Sequence, residues 1–98
     1  MYIGKANQLK QMCYVYILQS EKNGSYYVGS SCDITKRLAE HNSGHTKSLK
    51  YIRPVKMVFS KKYDSVKTAR AIELKIKKSK SRKIIEKIII DQKINMGL

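Results

Sequence analysis

The run Cys13-Tyr14-Val15-Tyr16-Ile17-Leu18-Gln19 decides how this chain folds, because its interior is aromatic, β-branched or aliphatic throughout. Such residues suit a pleated strand, and a period of two puts Tyr14, Tyr16 and Leu18 on one face and Cys13, Val15 and Ile17 on the other. The next residues, Glu21-Lys22-Asn23-Gly24-Ser25, contain the Asn-Gly pair that tolerates the positive φ of a tight turn. Tyr26-Tyr27-Val28-Gly29 then resumes the strand pattern, so residues 13–29 predict an antiparallel hairpin.

Working outward, Asp33 is the expected N-cap of a helix that runs to about Asn42, with Gly44 as its stop. Helical spacing sets Arg37 and His41 beside Ile34 and Leu38, which predicts that both turn towards the body of the protein. Residues 45–56 form a polar, basic connection without a carboxylate. Val55-Lys56-Met57-Val58-Phe59 predicts a third strand, preceded by Pro54, a residue that suits a strand's edge or first position. Asp64 or Ser65 can cap a second helix whose buried stripe is Val66, Ala69, Ile72 and Ile76, with Glu73 just beside it. Residues 75–83 crowd six cations together, and a last helix presents Ile84, Ile85, Ile88 and Ile89 on one side. The expected class is α/β: a small three-stranded antiparallel sheet flanked by helices in the order β-β-α-β-α-α.

A chain of 98 residues can bury one modest core. One domain is expected over residues 13–92, between a poorly ordered lead-in (1–12, with Met12 as a candidate start) and a tail (93–98). The formal charge of +14 favours polyanionic partners, nucleic acid first, although solvated lysines alone would also keep such a chain soluble. Cys13 and Cys32 have neither metal-ligand nor redox spacing and do not suggest a secreted disulfide scaffold. Apolar stretches fall far short of a membrane span, and the amino terminus lacks a signal-peptide pattern, so a cytoplasmic protein without a membrane partner is expected.

Tyr14-Val15-Tyr16, Tyr27-Val28-Gly29, Arg37, His41 and Glu73 together resemble the GIY-YIG nuclease superfamily. Tyr27 follows Tyr16 by eleven residues and Arg37 follows Tyr27 by ten, and the likeness continues through His41-Asn42-Ser43-Gly44, Arg53-Pro54 and Glu73-Leu74-Lys75-Ile76-Lys77. The sequence is most similar to short, stand-alone bacterial members, and more distantly to the amino-terminal incision domain of an excision-repair nuclease and to the homing-endonuclease catalytic domain. Tyr14 stands where that pattern usually has glycine. The tripeptide Tyr2-Ile3-Gly4 imitates the second motif, but no arginine follows at the required distance.

The resemblance implies an endonuclease that hydrolyses DNA phosphodiesters with one divalent ion, Mg²⁺ or alternatively Mn²⁺, and with Tyr16, Tyr27, Arg37, His41 and Glu73 as catalytic residues. Such chemistry needs an oriented water, a counter-charge for the phosphate and a stabilised leaving oxygen. Arg37 supplies a charged fork matched to phosphate oxygens, and Glu73, by resemblance, ligates the metal. Without the family, Glu73 is a helix-surface partner of Lys77 at i,i+4 spacing. Tyr16 can act as a base only where cations favour its phenolate; otherwise it positions water. His41, one turn after Arg37, can share the phosphate, whereas a zinc pair with His45 is disfavoured by the intervening helix stop. Tyr14 and Tyr26 are expected to be ordinary half-buried strand tyrosines.

Gly29 lets a backbone amide or phosphate approach closely. Lys47, Lys50 and Arg53 of the connection and Lys75, Lys77 and Lys78 of the second helix are expected to contact phosphates outside the site. No side-chain set announces base reading, so weak sequence preference is expected. Two other readings compete: a nucleic-acid-binding module with the same fold that cleaves weakly or not at all, and a protein interaction surface on the terminal isoleucines.

Overall fold

The computed structural model describes residues 12–44, 49 and 51–94. Residues 1–11 of the expected lead-in and 95–98 of the expected tail, together with His45, Lys47 and Lys50, lie outside the described residues. Elements follow in the order β1 (Cys13–Ser20), β2 (Tyr26–Ser31), α1 (Ile34–Ser43), β3 (Val55–Tyr63), α2 (Val66–Ser79) and α3 (Arg82–Asp91). This is the expected order and class, with β3 four residues longer than its apolar run suggested.

The strands form one antiparallel sheet in the order β2-β1-β3, so β1 is central and β2 is an edge. Gly24 takes φ 78° in the hairpin turn, where Ser20 Oγ accepts from the amides of Lys22 and Asn23. Alternation along β1 survives: Cys13, Val15 and Ile17 enter one core cluster with Val28 and Phe59, while Tyr16 and Leu18 enter the other. A register shift between Ile17 and Leu18 opposes them to Phe59 and Met57, and Val58 and Phe59, though adjacent in sequence, pack into the same cluster.

Both faces are covered. Ala69, Ile72 and Ile76 of α2 and Ile88 of α3 close the first cluster, with Ile84, Ile85 and Ile89 partly buried against it. Ile34 and Leu38 of α1, with Leu49 and Ile52 of the connection, close the second. Val66 departs from the expected stripe: at 44% exposed it sits at the first residue of α2, before the helix passes over the sheet.

The caps explain where the helices begin and end. Asp33 accepts from the amide of Lys36 at 3.0 Å, Ser65 from Thr68 and Ser81 from Ile84. Gly44 closes α1 in the left-handed region, φ 93°, which sets the helix stop between His41 and His45. Asn42 then clamps the start of β3, accepting from the Val55 amide at 2.7 Å and donating to its carbonyl at 3.0 Å.

Cys13 and Cys32 form a disulfide, contrary to the expectation from their spacing. Antiparallel pairing of Tyr14 with Ser31 carries the two cysteines to the same end of the hairpin, a neighbourhood that their separation of 19 residues conceals. Among the described residues, no helix is long and apolar enough to cross a membrane.

Candidate active site

Tyr16 lies at the centre of the face covered by α1. Its Cα partner on β2 is Gly29, and a Cβ added there would stand 2.5 Å from the Tyr16 phenol oxygen. The missing side chain therefore makes the notch in which the Tyr16 ring lies, a role distinct from the expected approach of a phosphate. The phenol is bonded to His41 Nε2 at 3.0 Å, and both residues are buried. Tyr27, two residues before Gly29, packs edge-on against the His41 ring with centroids 5.2 Å apart.

Electrostatics join more distant groups to this pair. Burial pushes the Tyr16 phenol well above its ordinary pKa; the neighbouring Tyr27 and the carboxylates of Glu73 and Glu40 push the same way, while Arg37 opposes them. Burial also lowers the pKa of His41, and the Arg37 guanidinium lowers it further against the pull of Glu40. At neutral pH the pair is a neutral phenol hydrogen-bonded to a neutral imidazole, because burial disfavours the charged form of each.

Glu73 approaches from α2 on the other side of β2. Ser30, which points to that side, donates from Oγ to Glu73 Oε1, and Lys77 pairs with Oε2. The Glu73 side chain is mostly buried, with 15% of its surface exposed. Lys77 Nζ also lies 5.8 Å from the Tyr27 ring centroid, which ties α2 to the Tyr27–His41 group. Arg37 is a correction to the expected burial: its side chain is 48% exposed and its Nε lies 3.5 Å from Glu40 Oε1. It borders the apolar side of α1 at the rim of the site, where it lines a cleft of about 200 Å³ with Ser30, Ser31 and Arg70. Ser30 is the shared neighbour: it lines the cleft with Arg37 and donates to Glu73, which does not itself line that cleft.

Two participants were not legible beforehand. Ser30 carried no motif signal, although strand alternation alone assigns it to the α2 side of β2. Arg70 precedes Glu73 by less than one turn of α2 and could have been found from that spacing. Other expected contacts stand apart from the cluster. Arg53 folds back over the end of α1, where Nη1 donates to the Asn42 carbonyl at 3.4 Å. Lys75 and Lys78 are exposed on α2. Among the described residues no group of three or more His, Cys, Asp or Glu side chains could hold a metal.

A three-stranded antiparallel sheet carrying paired strand tyrosines, a helix with Arg37 and His41, and a second helix with Glu73 is the arrangement of a nuclease-type catalytic domain. The chain matches the GIY-YIG catalytic domain over residues 12–92 and belongs to that family. It is 40% identical over 70 residues to a UPF0213 protein of Streptococcus pneumoniae, covering 68% of each chain. It is 38% identical over 80 residues to a UPF0213 protein of Listeria welshimeri, covering 81% of this chain and 87% of that one. No solved structure matches the chain.

Proposed function

We propose that the protein is an endonuclease that hydrolyses DNA phosphodiester bonds with one divalent ion. The observation that carries this reading is the Tyr16 phenol: it is 3.0 Å from His41 and lies within the electrostatic reach of both Arg37 and Glu73. Those groups match the tasks of the reaction, in which a water oxygen bonds to phosphorus, a phosphorus–oxygen bond breaks and the departing oxygen takes up a proton. Tyr16 orients the water, and the neutral His41 behind it holds the phenol and can accept a proton. Arg37 and Arg70 grip the phosphate and offset the charge it gains.

The donor set suits a hard divalent cation. Mg²⁺ commonly keeps most of its waters and needs one or two carboxylates plus substrate oxygens, and Glu73, held by Ser30, is such a carboxylate. Bound there, the ion would polarise the phosphate and stabilise the leaving oxygen.

The test is cleavage of plasmid and branched DNA with Mg²⁺ or Mn²⁺ by the wild type, Arg37→Ala and Glu73→Ala. Each variant is expected to lose about 10²-fold or more in nicking rate; equal nicking by all three overturns the reading. A second reading is favoured by the Lys77–Glu73 ion pair, which already neutralises the carboxylate without a metal. It makes the protein a nucleic-acid-binding module that cleaves weakly or not at all, and DNA binding without cutting would establish it.

A further inference from the structure

A second cleft, of about 420 Å³, opens beside the site along the outer edge of β2, where that strand faces the junction of α2 and α3. Tyr26, Tyr27, Lys77, Lys80, Ser81 and Arg82 are among its lining residues, and no carboxylate lines it among the described residues. The Arg82 guanidinium lies 4.6 Å from the Tyr26 ring centroid and is held there by the Gly24 carbonyl at 3.3 Å and by Glu86 at 3.1 Å. This makes a fixed platform of one ring and one guanidinium. Lys80 ends α2 in the left-handed region with φ 49°, where glycine or asparagine is preferred, so a cation stands at a place that costs backbone energy. Ser81 caps α3, whose first turn has no acidic residue, and the positive end of that helix adds to the field.

Cations alone would suit the outside of any duplex. Aromatic and guanidinium planes suit a base whose own face is free, because bases within a duplex are already stacked on their neighbours. The cleft volume is also in the range of small-ligand sites, about 300–1,000 Å³. Tyr27 and Lys77 line this cleft and also belong to the Tyr16–His41–Glu73 group, so a strand held here continues into the site.

We propose that this cleft seats one unpaired nucleotide of a strand bordering the cleaved bond, its base against the Tyr26–Arg82 platform and its phosphate towards Lys77 and Lys80. The preferred substrate would then be DNA with a single-stranded stretch beside the cut, such as a flap or a fork. The position of the cut rests on the nuclease reading above, but the binding does not.

The experiment titrates the full chain, in EDTA, into a flap DNA and a single-stranded oligonucleotide that each carry 2-aminopurine in the unpaired segment, with a blunt duplex alongside. Stacking on the platform is expected to change the probe's fluorescence. Tyr26→Leu and Arg82→Gln are each expected to weaken flap binding about tenfold and to abolish the fluorescence change, while duplex binding moves less than twofold. Circular dichroism confirms that the variants fold, and Arg82, exposed on α3, provides the milder of the two changes. Unchanged affinity and fluorescence in folded Tyr26→Leu and Arg82→Gln overturn the proposal. Cleavage with Mg²⁺ separates the two readings: platform-dependent binding with no cutting leaves the subsite standing and sinks the nuclease, and cutting with no platform effect does the reverse.

Discussion

On the face of the sheet covered by α2 and α3, Val15, Ile17, Val28 and Phe59 meet Ala69, Ile72, Ile76 and Ile88 and nothing polar is required of them. On the opposite face, the same central strand buries Tyr16 against His41, so packing there has to satisfy a hydrogen bond as well as exclude water. The first face is held by apolar contacts alone; the second adds to its own apolar contacts a buried hydrogen bond and a glycine notch. The Tyr16–His41 pair belongs to the second face, whereas Glu73 and Ser30 stand at the margin of the first, and β1 supplies both faces.

The largest effect is expected on the apolar face. Phe59→Ala should cost about 3–5 kcal/mol in chemical denaturation, by removing buried area and leaving a void. At temperatures where it still folds, its nicking rate should stay within a few-fold of wild type; a selective loss of activity would mean that packing around Phe59 also positions the site. Gly29→Ala comes next, with about 1–3 kcal/mol of overpacking. Because the new Cβ would strike the Tyr16 phenol, nicking should fall far more than the folded fraction does, and retained activity would show that the notch is not needed.

A smaller, pH-dependent effect distinguishes the faces in another way. The folded pKa of His41 lies below its unfolded value, so the unfolded chain binds more protons as the pH falls through about 6.5. The contribution is whole above that pH, declines below it and is lost beneath the folded pKa. Denaturation midpoints should accordingly be lower at pH 5.5 than at pH 8, and His41→Asn should flatten that difference. A wild-type midpoint that does not change between these pH values would contradict the burial of a neutral imidazole. The smallest effect belongs to neither face: Lys75→Ala, exposed on α2, should change stability by less than about 0.5 kcal/mol.

Local features were legible because nearest-neighbour physics sets them. The two-residue period of β1, the Asn23-Gly24 turn, the Asp33 and Ser65 caps, the Gly44 stop and the Ala69, Ile72 and Ile76 stripe all lie where the chain's own chemistry points. Ser30 meets Glu73 across 43 residues, and no local pattern encodes such a meeting. Arg53 was indistinguishable from the other basic residues of its connection until the end of α1 was seen to lie beneath it. Val66 matched the helical period, yet the stripe has a partner only where α2 overlies the sheet.

By itself, the order of residues determined which segments become strands and helices and which side chains share a face, since dihedral preference and periodicity act over a few positions. It also carried the family likeness, through the motif residues and their spacing. Only the tertiary structure decided that Cys13 bonds Cys32, that Arg37 stands at a rim and that Lys77 reaches both Glu73 and Tyr27. The first outcome follows from the pairing of β1 with β2, and the other two from how α1 and α2 pass over opposite sides of one edge strand, an arrangement selected by burial of the whole core.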